Sequence, residues 1–392
     1  MSKLRVLYLT WGYPTPMEPV SAPFCRNQVE GIVEAGVSVD VCVPVPYLPP
    51  IVPVLKKSWQ KSRTLPAAAV VNNVSVRFPR YPHFPGSMQL GLMHRLIAQA
   101  VRRSTPIPPD VIHANFAYPF GLTALLLRQW WKTPVVTLLH GGDVNIYPTK
   151  GILERKRFVE IARGSDRLLA VSGALAKKTS EISGRTPKVA LIGIRLDRFR
   201  SRDDKLELRR KLGLPLEHRL ILYVGYLNAS KGTHELLESL TSLRDQGVVG
   251  VIAGHGPLEA NVKACTACIF LGSVNNDTVA ELMSACDVFV LPSYSEGMPT
   301  VLVEAGASGI PIIATSVGGI PELLADDCGI MVEPGNPNAL RCALERVLAN
   351  PEAARERTQR LGQRVAQDYD CIKNGWKLRE LYEEMLRFNR SG

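Results

Sequence analysis

Twice along this chain, a short β-branched or aromatic run is followed by a turn, a helix-like stretch and another apolar run. Few folds accept that order. Strands joined through a helix lie parallel, and the crossover must pack on a face of the sheet. Arg5–Thr10, Cys25–Ala35 and Ser38–Pro44, with Gly36 before the last, make the first such unit. Residues 44–85 are Pro-rich and basic, an irregular excursion around a strand at Val74–Arg80. The alternation resumes with a helix at Ser87–Arg103, then Val111–His113, Leu122–Trp130, Pro134–Leu139, Leu153–Arg163 and a strand Arg167–Val171 capped by Ser172. It restarts with strands at Leu220–Val224, Val249–Ala253, Ile269–Leu271, Val288–Leu291, Pro311–Ala314 and Ile330–Val332, helices lying between most of them. Two doubly wound parallel-sheet domains are expected, joined near Arg198–Arg209. Ligands of such sheets sit at the carboxyl ends of strands, so two facing sheets would hold a site in their cleft.

The 392 residues suit two domains, and 46% hydrophobic content excludes a disordered chain. No run reaches the ~18 apolar residues of a membrane span. Lys3 and Arg5 precede an apolar run of only Val6–Leu9, too short for a signal peptide. A cytoplasmic protein is expected. Its eight cysteines include one CxxC, Cys265 and Cys268, and a zinc site would want a second ligand pair.

Charge is unevenly spread. Residues 1–200 hold 27 Lys+Arg against 11 Asp+Glu, net +16, whereas residues 201–392 are net −5. The basic half is suited to an anion, such as an anionic membrane surface, an acidic glycan or a lipid phosphate. Lys56, Lys57, Lys61 and Arg63 cluster near Trp59, and Arg77, Arg80, Arg95, Arg102 and Arg103 follow. A solvated face with no partner fits the same distribution. No nucleic-acid motif accompanies it.

Three constellations could carry chemistry. In Glu296-Gly297-Met298-Pro299-Thr300-Val301-Leu302-Val303-Glu304, a loop carboxylate precedes a helix start and a second carboxylate follows down the helix. First-turn N–H groups form an anion site, and carboxylates accept from hydroxyls beside it. A phosphate flanked by two polyols is a sugar nucleotide. An ordinary helix start with two exposed acids reads the same way. Gly225 after a strand, with Lys231 on the following loop, would suit a diphosphate; a surface lysine is the alternative. His140-Gly141-Gly142-Asp143 ends a strand with groups able to contact sugar hydroxyls or move protons, unless His140 is a satisfied core residue. No GxGxxG occupies the first βα turn, and Walker A, GxSxG and HExxH patterns are missing.

The chain resembles glycosyltransferase family 4, the retaining enzymes of the GT-B fold. Glu296 to Glu304, followed by Ala305-Gly306, Pro311–Thr315 and Gly318-Gly319-Ile320-Pro321-Glu322, carries the most specific part. Ala285–Ser293, Val171-Ser172, the Gly225/Lys231 loop, Ala253–Pro257 and Glu333–Asn336 add to it. Teichuronic-acid and exopolysaccharide transferases are similar in the Pro-rich early loop, in Tyr118–Leu122 and in His140–Asp143. Two positions depart. Tyr226 stands where many members carry Arg, and Ile192-Gly193-Ile194-Arg195 where many read Asn-Gly-Val-Asp.

The resemblance implies an α/β GT-B chain of two Rossmann-like domains facing a central cleft. An acceptor-binding domain would span 1–197, a nucleotide-sugar domain 198–371, and the helix from 372 to 392 would pack back on the first. It implies transfer from a UDP- or GDP-sugar to a glycan or lipid-linked acceptor in cell-surface polysaccharide biosynthesis. Lys231, Glu296 and His140 would be catalytic. Lys231 would steady the leaving diphosphate, Glu296 would hold sugar hydroxyls and His140 would orient the sugar. Gly12, Gly225, Tyr226, Gly254, Gly297, Met298, Pro299, Thr300 and Glu304 would line the donor site, with Glu304 on the ribose. Asp143 and Arg195 would help orient the substrates. No metal and no cofactor beyond the donor are expected, and no nucleic acid. Membrane association would be peripheral, through the basic half. A sugar-nucleotide 2-epimerase or a non-catalytic binding scaffold would share the fold.

Overall fold

The computed structural model describes residues 3–15, 21–47, 65–83, 91–199 and 204–390. Lys56, Lys57, Trp59, Lys61 and Arg63 lie outside the described residues, as do 16–20 of the first loop, the expected helix start at 87–90 and 200–203 of the expected join. Two compact units form, one from residues 1–191 with 372–392 and one from 192–371.

The first unit is built on β1 (Arg5–Leu9), β2 (Ser38–Cys42), β4 (Ala68–Val71), β5 (Val74–Arg77), β7 (Val111–Asn115), β8 (Val135–Leu139), β9 (Arg167–Ala170) and β10 (Lys188–Val189). Their order is β10-β9-β8-β7-β1-β2-β5-β4, parallel except for β4 against β5. β3 (Val45–Tyr47) and β6 (Arg80–Pro82) pair separately. The central strands β7 and β8 are buried throughout, the continuous apolar pattern of a sheet covered on both faces. The Pro-rich excursion holds a hairpin the sequence pattern hides. Asn72 and Asn73 both take positive φ (48° and 62°) between β4 and β5, a geometry asparagine tolerates.

The second unit comprises β11 (Arg219–Val224), β12 (Val248–Ala253), β13 (Cys268–Gly272), β14 (Val288–Leu291), β15 (Ile312–Thr315) and β16 (Ile330–Val332). All are parallel, in the order β13-β12-β11-β14-β15-β16. Strand order reverses at β1/β7 in the first unit and at β11/β14 in the second. A doubly wound sheet opens a ligand crevice at such points.

The join differs from expectation. Residues expected to link the domains include a helix, Lys205–Lys211, capped by the Asp204 side chain. Arg209 on it is buried, bonding the carbonyls of Ala285, Leu216 and His218 and pairing with Asp287 at 2.8 Å. The second unit begins at Ile192, because Ile194 pairs with the segment that leaves the unit. Ile194 N–H donates to Tyr369 O (2.8 Å), and Cys371 N–H returns to Ile194 O (3.0 Å). A second helix, Gly173–Ser183, also escapes the sequence pattern. Its signals are Ser172, which accepts from Leu175 N–H, and Gly184 in the left-handed region at its end.

The helix Cys371–Arg390 belongs to the first unit. Tyr382 on it lies 2.6 Å from His113 Nδ1, and Arg379 bonds Ala35 O. A Cβ at Gly375 would stand 2.1 Å from Gly31 O, so the two helices touch through glycines.

Candidate active site

In the second unit, three loops close over the carboxyl ends of β11, β12 and β14. They lock by backbone contact. Gly254 (φ 142°) and Gly256 (φ 155°) turn the chain after β12 so tightly that a Cβ would stand 1.8 Å from Gly225 O or 2.3 Å from Leu227 O. Leu227 N–H donates to His255 O, and Gly225 N–H to Ala253 O. Tyr226 is 46% exposed, its ring edge-on to His255 at 5.3 Å. The Tyr223 hydroxyl turns back to Tyr226 O, and burial, then the charge of Glu296, raise its pKa.

Asn228 caps a single turn, Ala229–Lys231, by accepting from Lys231 N–H. Gly232 then takes φ 69°, where a Cβ would meet Pro292 O at 2.0 Å, and Tyr294 N–H bonds Ser230 O. The lysine loop is thereby fixed on the loop after β14. Lys231 Nζ reaches Glu296 Oε1 at 2.7 Å, with side chains 29% and 10% exposed. Glu296 is held in turn by the Gly318-Gly319 turn. A Cβ at Gly318 would stand 2.0 Å from Glu296 O, and Gly319 N–H donates to Gly297 O. Met298 is buried with its sulfur 3.8 Å from the Tyr369 hydroxyl. Pro299 stands at the N-cap, and the helix runs Thr300–Ser308 with Glu304 only 7% exposed. Arg195 is engaged locally, its guanidinium bonding both oxygens of Asp197 at 3.1 Å. That contact lowers the Asp197 pKa.

In the first unit, side chains make the corresponding structure. His140 leaves β8 and lies between Phe116 (4.4 Å) and Phe24 (5.2 Å). Burial, with His113 a smaller cause, pushes its pKa down to about 3, so the ring is neutral. Its Nε2 lies 2.9 Å from Asn115 Oδ1, while Asn115 Nδ2 donates to Leu9 O. The asparagine thus presents an acceptor, which places the histidine proton on Nε2 and leaves the Nδ1 lone pair. Asp143 faces inward. It accepts N–H bonds from Ala117, His140 and Gly141, at 3.0, 3.0 and 2.8 Å. Burial still raises its pKa. These bonds fix the loop that carries His140. Gly12 lies beyond β1, where Thr10 Oγ1 donates to its carbonyl.

Known proteins agree with this construction. A model of glycosyltransferase family 4 matches residues 22–197, and one of glycosyl transferases group 1 matches 204–367. A Bacillus subtilis (strain 168) protein named as a teichuronic acid biosynthesis glycosyltransferase is 35% identical over 98% of this chain and 99% of its own. The chain belongs to glycosyltransferase family 4. The fold is GT-B. Sucrose-phosphate synthase from Thermosynechococcus elongatus superposes with a TM-score of 0.81 at 19% identity, covering 98% of this chain and 100% of its own. The Anabaena protein HepE, solved with UDP and glucose, gives 0.75 at 18% identity, covering 97% and 100%.

For this glycosyltransferase, the structure gathers Lys231, Glu296, Gly297, Met298, Pro299 and Thr300 on adjoining loops of the second unit, with Gly225, Tyr226 and Gly254 on neighbouring turns. Glu304 lies one turn into the helix. Sequence reasoning missed Asn228, Phe24, Asn115 and Phe116. Asn228 had a signal, an Asn three residues before the lysine. Phe116 takes φ 71°, a strained value for an aromatic residue that no local pattern announces. Among the described residues no group of three or more His, Cys, Asp or Glu could hold a metal, and Cys265 and Cys268 are free thiols. No helix among them is long and apolar enough to cross a membrane.

Proposed function

We propose that this glycosyltransferase transfers a sugar, with retention at the anomeric carbon, from a nucleotide-diphospho-sugar to a glycan or lipid-linked acceptor of a cell-surface polysaccharide. The observation that carries this is the 2.7 Å pair of Lys231 and Glu296 beside a helix start at the β11/β14 switch point. UDP and glucose in HepE support a nucleotide-sugar donor, and the name of the Bacillus subtilis relative supports the polysaccharide.

The chemistry follows from the charges. Without donor, Lys231 is neutralised by Glu296. A diphosphate would compete for the ammonium and release the carboxylate to accept sugar hydroxyls. As the glycosidic bond breaks, charge grows on the departing diphosphate, and Lys231 with first-turn N–H groups near Thr300 stabilises it. The departing phosphate takes the acceptor proton, so no separate nucleophile–base pair is required. Glu304 serves the ribose. His140, in the first unit, has Nδ1 to offer a sugar hydroxyl. A lysine and backbone N–H groups supply the charge that other transferases draw from a metal ion, so turnover should survive EDTA. The basic first unit would bring the protein to an anionic membrane, in a salt-sensitive manner.

The test is turnover of UDP- and GDP-sugars by wild type and Lys231→Ala, with and without EDTA. Losing this electrostatic partner should cost about 10²–10³-fold in rate. Near-wild-type turnover by the variant would overturn the assignment.

A further inference from the structure

Two residues beyond Phe116, outside the His140 environment, Tyr118 opens a second polar cluster with a cation at its edge. Tyr118 is 8% exposed, and its ring stacks on Tyr147 at 5.1 Å and 7°. The Tyr118 hydroxyl is buried with no hydrogen-bond partner, while Arg157 lies within reach of the Tyr147 hydroxyl and the Gly91 backbone within reach of the His94 ring. A buried hydroxyl left unpaired is costly and calls for a ligand or water. The Arg157 guanidinium lies 5.5 Å above the Tyr118 ring. It also occupies the space over Gly91, where a Cβ would stand 1.6 Å from Arg157 Nη2. No carboxylate pairs with Arg157 among the described residues. Glu154, one turn earlier on the same helix, is drawn toward the helix start, where a Cβ at Gly151 would stand 2.7 Å from its Oε2.

The surroundings narrow the ligand. Burial raises the pKa of both hydroxyls, so they remain O–H donors. A cation and neutral donors suit an oxyanion. Leu92, Ile146, Ile152 and Leu153, each a near sequence neighbour of a cluster residue, are large aliphatic side chains exposed to solvent. Single exposed aliphatics are ordinary; four within five residues of one cation-bearing cluster are not.

We propose that Arg157, Tyr118, Tyr147 and His94 bind the phosphate headgroup of an amphiphile, whose hydrocarbon chain lies along Leu92, Ile146, Ile152 and Leu153. Taking that amphiphile as the sugar acceptor rests on the transferase reading above; the binding site itself does not. Arg157 supplies the charge, the two hydroxyls donate to phosphate oxygens, and the aliphatic rim discriminates a lipid phosphate from a free one.

Calorimetric titration of the full chain with hexyl phosphate, inorganic phosphate and hexyl glucoside tests this, with UDP and GDP titrated alongside. Hexyl phosphate should bind at least tenfold tighter than either control. Arg157→Gln should weaken it tenfold or more. Tyr118→Phe and Tyr147→Phe, which keep the ring packing, should each weaken it several-fold. Ile152→Ser should weaken hexyl phosphate but not inorganic phosphate. Lys231→Ala should leave hexyl phosphate unchanged while weakening the nucleotide. Equal binding of hexyl glucoside, equal binding of inorganic phosphate, or no effect of Arg157→Gln and Tyr118→Phe would overturn the site. Loss of nucleotide binding by the wild type, with hexyl phosphate intact, would instead overturn the donor reading alone.

Discussion

The loops of the second unit meet mainly backbone to backbone, with the Lys231–Glu296 pair added, whereas those of the first unit are tied by side chains. Gly232, Gly254, Gly256 and Gly318 each bring one loop within about 2 Å of where a Cβ would strike a neighbouring carbonyl. In the first unit one carboxylate, Asp143, collects three backbone N–H groups, and two phenylalanine rings enclose His140. The two solutions fail differently. A glycine contact tolerates no side chain but is indifferent to pH. A side-chain tie tolerates shape changes but depends on protonation.

Acid should therefore separate the units most. Burial pushes the pKa of His113 and His140 down to about 3 and that of His94, with Arg157 and Arg95 adding, to about 4; all three lie in the first unit. The unfolded histidines take up protons near their ordinary pKa, while the folded ones exclude them. Stability is thus complete above about pH 6.5 and is lost as pH falls toward 4 and then 3, on the order of 1.4 kcal/mol per pH unit for each excluded proton. Asp143, raised by burial, opposes this in part. Hydrogen exchange followed by peptide should show the first unit opening between pH 6 and 4 before the second; simultaneous opening would erase the distinction.

A smaller effect probes the second unit. Gly254→Val should destabilise it by roughly 3 kcal/mol, since a Cβ would overlap Gly225 O and φ 142° disfavours a branched residue. Urea unfolding should register the loss at every pH, and a wild-type midpoint would show that the loops part without cost. The smallest effect is Asp143→Asn. The amide keeps one acceptor oxygen and loses the other, at about 2 kcal/mol. His140 should then be less well held, so Tm falls and KM for the donor rises. An unchanged KM would make Asp143 a fold residue only.

The same difference explains what could be read from the sequence. Both sheets and most strands follow from apolar runs, because a strand buried on both faces admits little else. Glu296 and Lys231 stand out through glycines, prolines and a helix start around them, all local signals. Their pairing across 65 residues of chain depends on Gly232 meeting Pro292, which is tertiary. The three N–H groups that Asp143 collects are not legible locally, because an aspartate beside two glycines looks the same whether it faces solvent or backbone. Phe116, Asn115 and Phe24 gave no sign, since their part is to contact His140 across the fold. The second unit starts at Ile192 because Ile194 pairs with Tyr369 and Cys371, a contact between distant parts of the chain that no local pattern shows.

The helix Cys371–Arg390 has a consequence for biosynthesis. Tyr382 supplies the partner of His113 Nδ1, and Gly375 packs on Gly31. A nascent chain exposes the sheet of the first unit early, then must hold it open while residues 192–371 emerge and fold. Only when the helix Cys371–Arg390 clears the ribosome can the histidine find its tyrosine. The first unit is completed only after the second has been made.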